Sequence, residues 1–113
     1  MPTTMPIKSS TQRIQEMEKL VDLSEQLTRL AEQNNWPEVN RLSLQREQRL
    51  EQFFSNEIPT DIRETVIDAI ARIRFFDEET VRLVKKNREA LGEGIIDLLA
   101  HKRRIKNYIS NQH

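Results

Sequence analysis

Apolar residues in this chain recur at steps of three and four over three long stretches, interrupted at Asn34–Asn35 and again at Ser55–Pro59. The first stripe is Ile14, Met17, Leu20, Val21, Leu23, Leu27, Leu30 and Ala31. The second is Val39, Leu42, Leu50 and Phe53, with Phe54 beside it. The third is the longest, from Ile62, Val66, Ile70, Ile73 and Phe76 through Leu83, Val84, Leu91, Ile95 and Leu98 to Ile105, Tyr108 and Ile109. That spacing gathers side chains on one face of a 3.6-residue helix, whereas a half-buried strand would alternate. Two glycines and four prolines among 113 residues are too few for the many turns of a β-sandwich or barrel. The fold class is all-α.

The interruptions carry stop and start chemistry. Asn34–Asn35 can take the left-handed backbone that ends a helix, and Pro37 suits the first turn of the next, where its missing N–H is not needed. So short a connection makes the first two helices an antiparallel hairpin, with Trp36 packing across its closed end. After Ser55–Pro59 a third helix opens, capped by Thr60 or Asp61, with Asp61 and Glu64 at capping-box spacing. Residues 1–9, with Pro2 and Pro6 and little to bury, read as a disordered arm. Residues 10–113 read as one helical bundle domain.

A mismatch of lengths follows. At about 1.5 Å per residue, a helix over 10–34 spans roughly 36 Å and one over 37–54 roughly 27 Å, while an unbroken helix over 61–110 reaches roughly 75 Å. Running antiparallel to the second helix, it clears the hairpin between Val84 and Asn87. Leu91, Ile95, Ile96, Leu98, Leu99, Ile105, Tyr108 and Ile109 lie beyond that point. Three arrangements cover them. The chain breaks at Gly92–Gly94 and folds its tail back as a fourth helix, two copies pair their overhangs, or the surface receives a client. Two glycines cost about 2 kcal/mol relative to alanine inside a helix, which makes a kink cheap without compelling it. The bundle is thus a hairpin plus a long third helix, three- or four-helix, with its last segment kinked or folded back near Gly92–Gly94.

Chemistry for catalysis is missing from this pattern. Cysteine is absent and the two histidines are His101, in a basic run, and the final residue His113. No phosphate-loop, dinucleotide or zinc-protease motif occurs, and neither a cofactor nor a metal is expected. Asp77-Glu78-Glu79, with Arg74 and Arg82 on the same helix, reads as charge pairing rather than a metal cluster. The run His101–Arg104 with Lys106 admits a nucleic-acid or membrane-surface reading. Cations also favour a helix C-terminus, and Glu89, Glu93 and Asp97 interrupt any basic stripe, so neither direct nucleic-acid contact nor membrane insertion is expected. The formal net charge is zero. No apolar run approaches a membrane span, and the opening MPTTMPIKSS lacks the apolar core of a secretory signal, so a cytoplasmic location is expected. Two details are less routine. Arg46 falls inside the second apolar stripe, where it either snorkels along its neighbours or pairs with a carboxylate across the bundle, Asp77 being the candidate. Of the adjacent Phe75 and Phe76, one is core and the other is left as bare surface or as a contact for a second chain.

The order of these features resembles the flagellar export chaperones of the FliT family. The resemblance rests on "LTRLAEQNNWPEVNRL", the register "QREQRLEQFF", and the long element "IRETVIDAIARIRFFDEETVRLVKKNREALGEGI" followed by "KNY", and it covers residues 14–108. It implies a cytoplasmic, non-enzymatic chaperone that holds the filament-cap protein before type III export. It further implies delivery to the export ATPase complex, binding of the flagellar master regulator in some bacteria, and dimerisation of the free protein. A client's amphipathic helix needs apolar anchors along one groove, for which Phe75, Leu83, Val84, Leu91, Ile95 and Leu98 are the candidates. A C-terminal segment carrying Ile105, Tyr108 and Ile109 would cover that surface and regulate it. Two other functions fit the residues alone: a self-associating helical adaptor, and a small regulator touching nucleic acid through the basic tail.

Overall fold

A computed structural model describes residues 9–87 of the chain, as three helices and no strand. Helix α1 (Ser10–Glu32) opens on a capping box: the Gln12 amide donates to Ser9 Oγ at 3.2 Å, and the Ser9 amide donates to Gln12 Oε1 at 2.8 Å. It closes as expected, with Asn34 in the left-handed region at φ 59°. The Asn35 amide reaches back to the Leu30 carbonyl and the Asn34 amide to the Ala31 carbonyl, a Schellman closure that satisfies two end carbonyls. Helix α2 (Trp36–Phe54) starts at once, with Pro37 in its first turn. It runs back along α1.

The start of the third helix differs from the sequence expectation. Neither Thr60 nor Asp61 makes a side-chain cap; a 3-10 turn, Thr60–Ile62, precedes helix α3 (Arg63–Lys85). The Pro59 carbonyl accepts from the Ile62 amide at 3.2 Å, and the tight turn drives Ile62 into the core. The far end differs as well. Helix α3 stops at Lys85, ahead of Gly92, so one helix running unbroken to residue 110 is not what forms. There the Lys86 and Asn87 amides bond to the carbonyls three residues back, and Asn87 Nδ2 donates to Asn34 Oδ1 at 3.1 Å. The length arithmetic holds to this point: α3 meets the closed end of the hairpin at Asn87. The glycine pair and the arrangement of the later stripe lie outside the described residues.

Helix α1 is the central member and packs against both α3 and α2. The core comes in two parts. One holds Met17, Leu20, Val21, Leu50, Phe53, Ile62, Val66, Ala69, Ile70 and Ile73. The other, at the hairpin's closed end, holds Leu27, Ala31, Trp36, Val39, Leu42, Val81 and Val84. Between them lies a polar layer. Arg46 of α2, 0% exposed, donates to both oxygens of Asp77 on α3, 1% exposed, at 2.6 and 3.1 Å. The same guanidinium donates to Ser24 Oγ of α1 at 2.7 Å. Of the two readings of Arg46, pairing across the bundle is the one that forms. Hydroxyls extend the layer: the Thr28 and Thr80 oxygens lie 2.8 Å apart, and both bond to the Phe76 carbonyl.

A second arginine ties the open end. Arg13, on the first turns of α1, donates to the Phe53 carbonyl at 2.9 Å and the Glu57 carbonyl at 3.1 Å, with its guanidinium 4.3 Å over the Phe53 ring. Phe53 O is among the end carbonyls that a helix cannot satisfy itself, so α1 supplies the C-terminal cap of α2.

Two stability predictions follow from these arginines. Arg13→Ala should lower unfolding stability by about 2–3 kcal/mol, because charge-assisted bonds to carbonyls are lost from a buried site. Urea melts at unchanged slope would register it, and a loss below about 0.5 kcal/mol would show the clamp to be idle. Arg46→Met or Asp77→Leu alone should cost about 3–5 kcal/mol by stranding the partner charge, while the double variant should return to within about 1 kcal/mol of the parent. A double-mutant cycle reads the coupling, and simple additivity would refute it.

Candidate functional site

Helix α3 buries Val66, Ala69, Ile70, Ile73, Asp77 and Thr80 and turns a second face outward. On that outer face Ile67 is 47% exposed and Phe75 is 61% exposed, with the exposed Ala71 midway between them. Positions four apart stack along one side of a helix, so these three form a short apolar ridge with a low centre. Exposed charges flank it: Glu64, Asp68, Arg72, Glu78 and Arg82. Arg72 reaches Glu18 of α1 at 3.3 Å, a half-exposed pair at the α1–α3 edge. Single exposed apolar residues are ordinary on a protein surface. A Phe and an Ile in register on one helix are the larger apolar feature of this surface, and Leu44 on α2, 42% exposed, is the third.

The adjacent phenylalanines divide as the helix period requires. Phe76 is half-buried against the core, and Phe75 points out, its ring edge-to-face with Phe76 at 5.6 Å between centroids. Leu83 is half-buried beside the hairpin-end core, and Val84 is inside it at 3% exposure. Of the six client-contact candidates, then, Phe75 is open to solvent, Leu83 partly so, and Val84 is enclosed. Leu91, Ile95 and Leu98 lie outside the described residues, as do Ile105, Tyr108 and Ile109 of the suggested regulatory segment. Sequence reading passed over Ile67 and Leu44. The signal for Ile67 was available: it stands one residue past Val66, off the stripe that the core takes.

Other surfaces offer less. A depression of 360 Å³ lies between α1 and α2, lined by Glu16, Lys19, Arg49 and Gln52 with Leu20 among them. Its lining is mostly solvated and mixed in charge. Among the described residues no three His, Cys, Asp or Glu side chains gather as a metal site, and no helix is long and apolar enough to cross a membrane. The Arg41 guanidinium on the first turns of α2 holds the Glu38 carboxyl below its ordinary range through hydrogen bonds at 2.8–3.2 Å. Both groups are at the surface, where salt screens such a pair. The charge cluster of α3 resolves in two ways: Glu79 pairs with Arg82 at 2.8 Å, while Asp77 turns inward to Arg46. What the described surface can do is present apolar side chains on a rigid helix.

A family model described as flagellar protein FliT matches residues 14–111, nearly the whole chain. No curated protein and no solved structure matches. The matched span contains α1 from Ile14 onward, all of α2 and α3, the hairpin closure and the Arg46–Asp77 pair. The chain belongs to the FliT family of flagellar proteins, a chaperone-type family of flagellum biogenesis and not an enzyme family.

Proposed function

We propose that this protein works in the cytoplasm as an export chaperone that holds the flagellar filament-cap protein before type III secretion. The observation that carries this reading is the outer face of α3, where Phe75 and Ile67 stand exposed in register on a chain of the FliT family. An amphipathic client helix lays its own i, i+3/i+4 and i+7 anchors against such a face. Phe75 is the side chain suited to act as the central anchor, because a large aromatic ring buries much area on docking.

The site extends from Phe75 to the half-buried Leu83 on α3 and onward to Leu91, Ile95 and Leu98, with Val84 held in the core. A segment with Ile105, Tyr108 and Ile109 acts as its cover. Delivery to the export ATPase complex and restraint of the flagellar master regulator are the further partnerships of this reading, and the free protein is a homodimer. Binding and release need no cofactor. A self-associating adaptor without a client would use the same apolar face, and the titration below separates the two.

Calorimetric titration with the C-terminal region of the filament-cap protein tests the proposal. Phe75→Asp should weaken capture at least about tenfold, or about 1.4 kcal/mol, with the far-ultraviolet helical signal unchanged. Ile95→Asp and Leu98→Asp should do the same. Full affinity in all three variants would move the site elsewhere, and absence of binding by the parent chain with loss of dimer in the variants would favour the adaptor.

A further inference from the structure

The polar layer at mid-bundle divides the core into two parts of unequal strength. The larger part, at the open end, holds ten buried apolar residues among those described and is clamped by Arg13 on the Phe53 and Glu57 carbonyls. The smaller part, at the hairpin's closed end, holds seven among the described residues, and a side-chain bond there, from Asn87 to Asn34, is exposed.

Apolar contact between the two parts is thin. Leu23, half-buried, packs against both. Elsewhere the join runs through Arg46, Asp77, Ser24, Thr28 and Thr80, whose bonds are directional and fail together once the helices shift. Each end of the bundle contains three helix termini, so ordinary fraying does not distinguish them.

We infer that the hairpin end, comprising the last turns of α1 and α3 and the first turns of α2, opens as a unit of its own while the rest of the bundle stays folded. The Arg46–Asp77 layer is the boundary at which that opening stops. Opening presents Trp36, Val39, Leu42 and Val84, which the closed state buries. Proteins open in contiguous units of graded stability, and here the grading follows core size and the clamp. The inference stands or falls independently of which client the protein holds.

Native-state hydrogen exchange on the full chain tests it. Amides of Leu27–Ala31, Leu42–Ser43 and Val81–Val84 should exchange together, with one shared denaturant dependence smaller than that of global unfolding, and at least about tenfold faster than those of Met17–Val21, Leu50–Phe53 and Ile70–Ile73. One slowest-exchanging set spanning both ends would overturn the proposal. The double variant Arg46→Met with Asp77→Leu joins the two apolar parts and should shrink the gap below about threefold by coupling the ends. A gap that persists in the folded double variant would overturn the role of the layer. Should that variant fail to fold, the exchange profile of the parent chain still decides whether the unit exists.

Discussion

Everything in this bundle is arranged around one buried ion pair, Arg46 with Asp77, and the Ser24 hydroxyl that takes a third bond from the same guanidinium. Removing two charges from water is expensive, and their attraction offsets that only when geometry is good and the remaining donors are met. Here both carboxylate oxygens are engaged and three helices contribute, one group each, while one donor, Arg46 Nε, is buried without a hydrogen bond. A helix rotated or slid by one residue would strand a charge in the core. Apolar side chains alone tolerate such slips far better, since hydrophobic burial has no direction. The pair therefore selects one register among many that the three stripes would accept, as a hypothesis that the cycle of variants addresses.

The consequence is a core in two parts rather than one. A polar layer that specifies register also interrupts the apolar contact that couples one end of a bundle to the other. The open end offsets this with a larger core and the Arg13 clamp. The closed end has instead the Schellman turn at Asn34 beside the smaller core around Trp36. The exposed ridge of Ile67 and Phe75 starts on α3 beside the larger core, so the surface proposed for a client stands on the firmer half. Val84 stands on the other.

Much of the local structure was legible from residues alone. The hairpin break, the positive φ at Asn34, the proline start of α2 and the division of Phe75 from Phe76 each depend on groups within a few positions of one another. Asp77 was identifiable as a partner for Arg46, although snorkelling is the more usual outcome for an arginine within an apolar stripe. The 3-10 start of α3 was not legible, because capping residues stood at suitable spacing and what displaced them was the burial of Ile62. The stop at Lys85 was also hidden, since the apolar stripe continues past it without a breaker before Gly92.

By itself the sequence determined three helices, their order, the hairpin and the family, since periodicity, turn chemistry and motif order are short-range properties repeated along the chain. Only the tertiary structure decided which polar groups meet. Arg13 and the Phe53 carbonyl are 40 positions apart, and Arg46 and Asp77 are 31. A stripe specifies which face of a helix is buried. It does not specify how far one helix slides along another, and that offset determines which buried charge finds its partner and which apolar residue is left facing water.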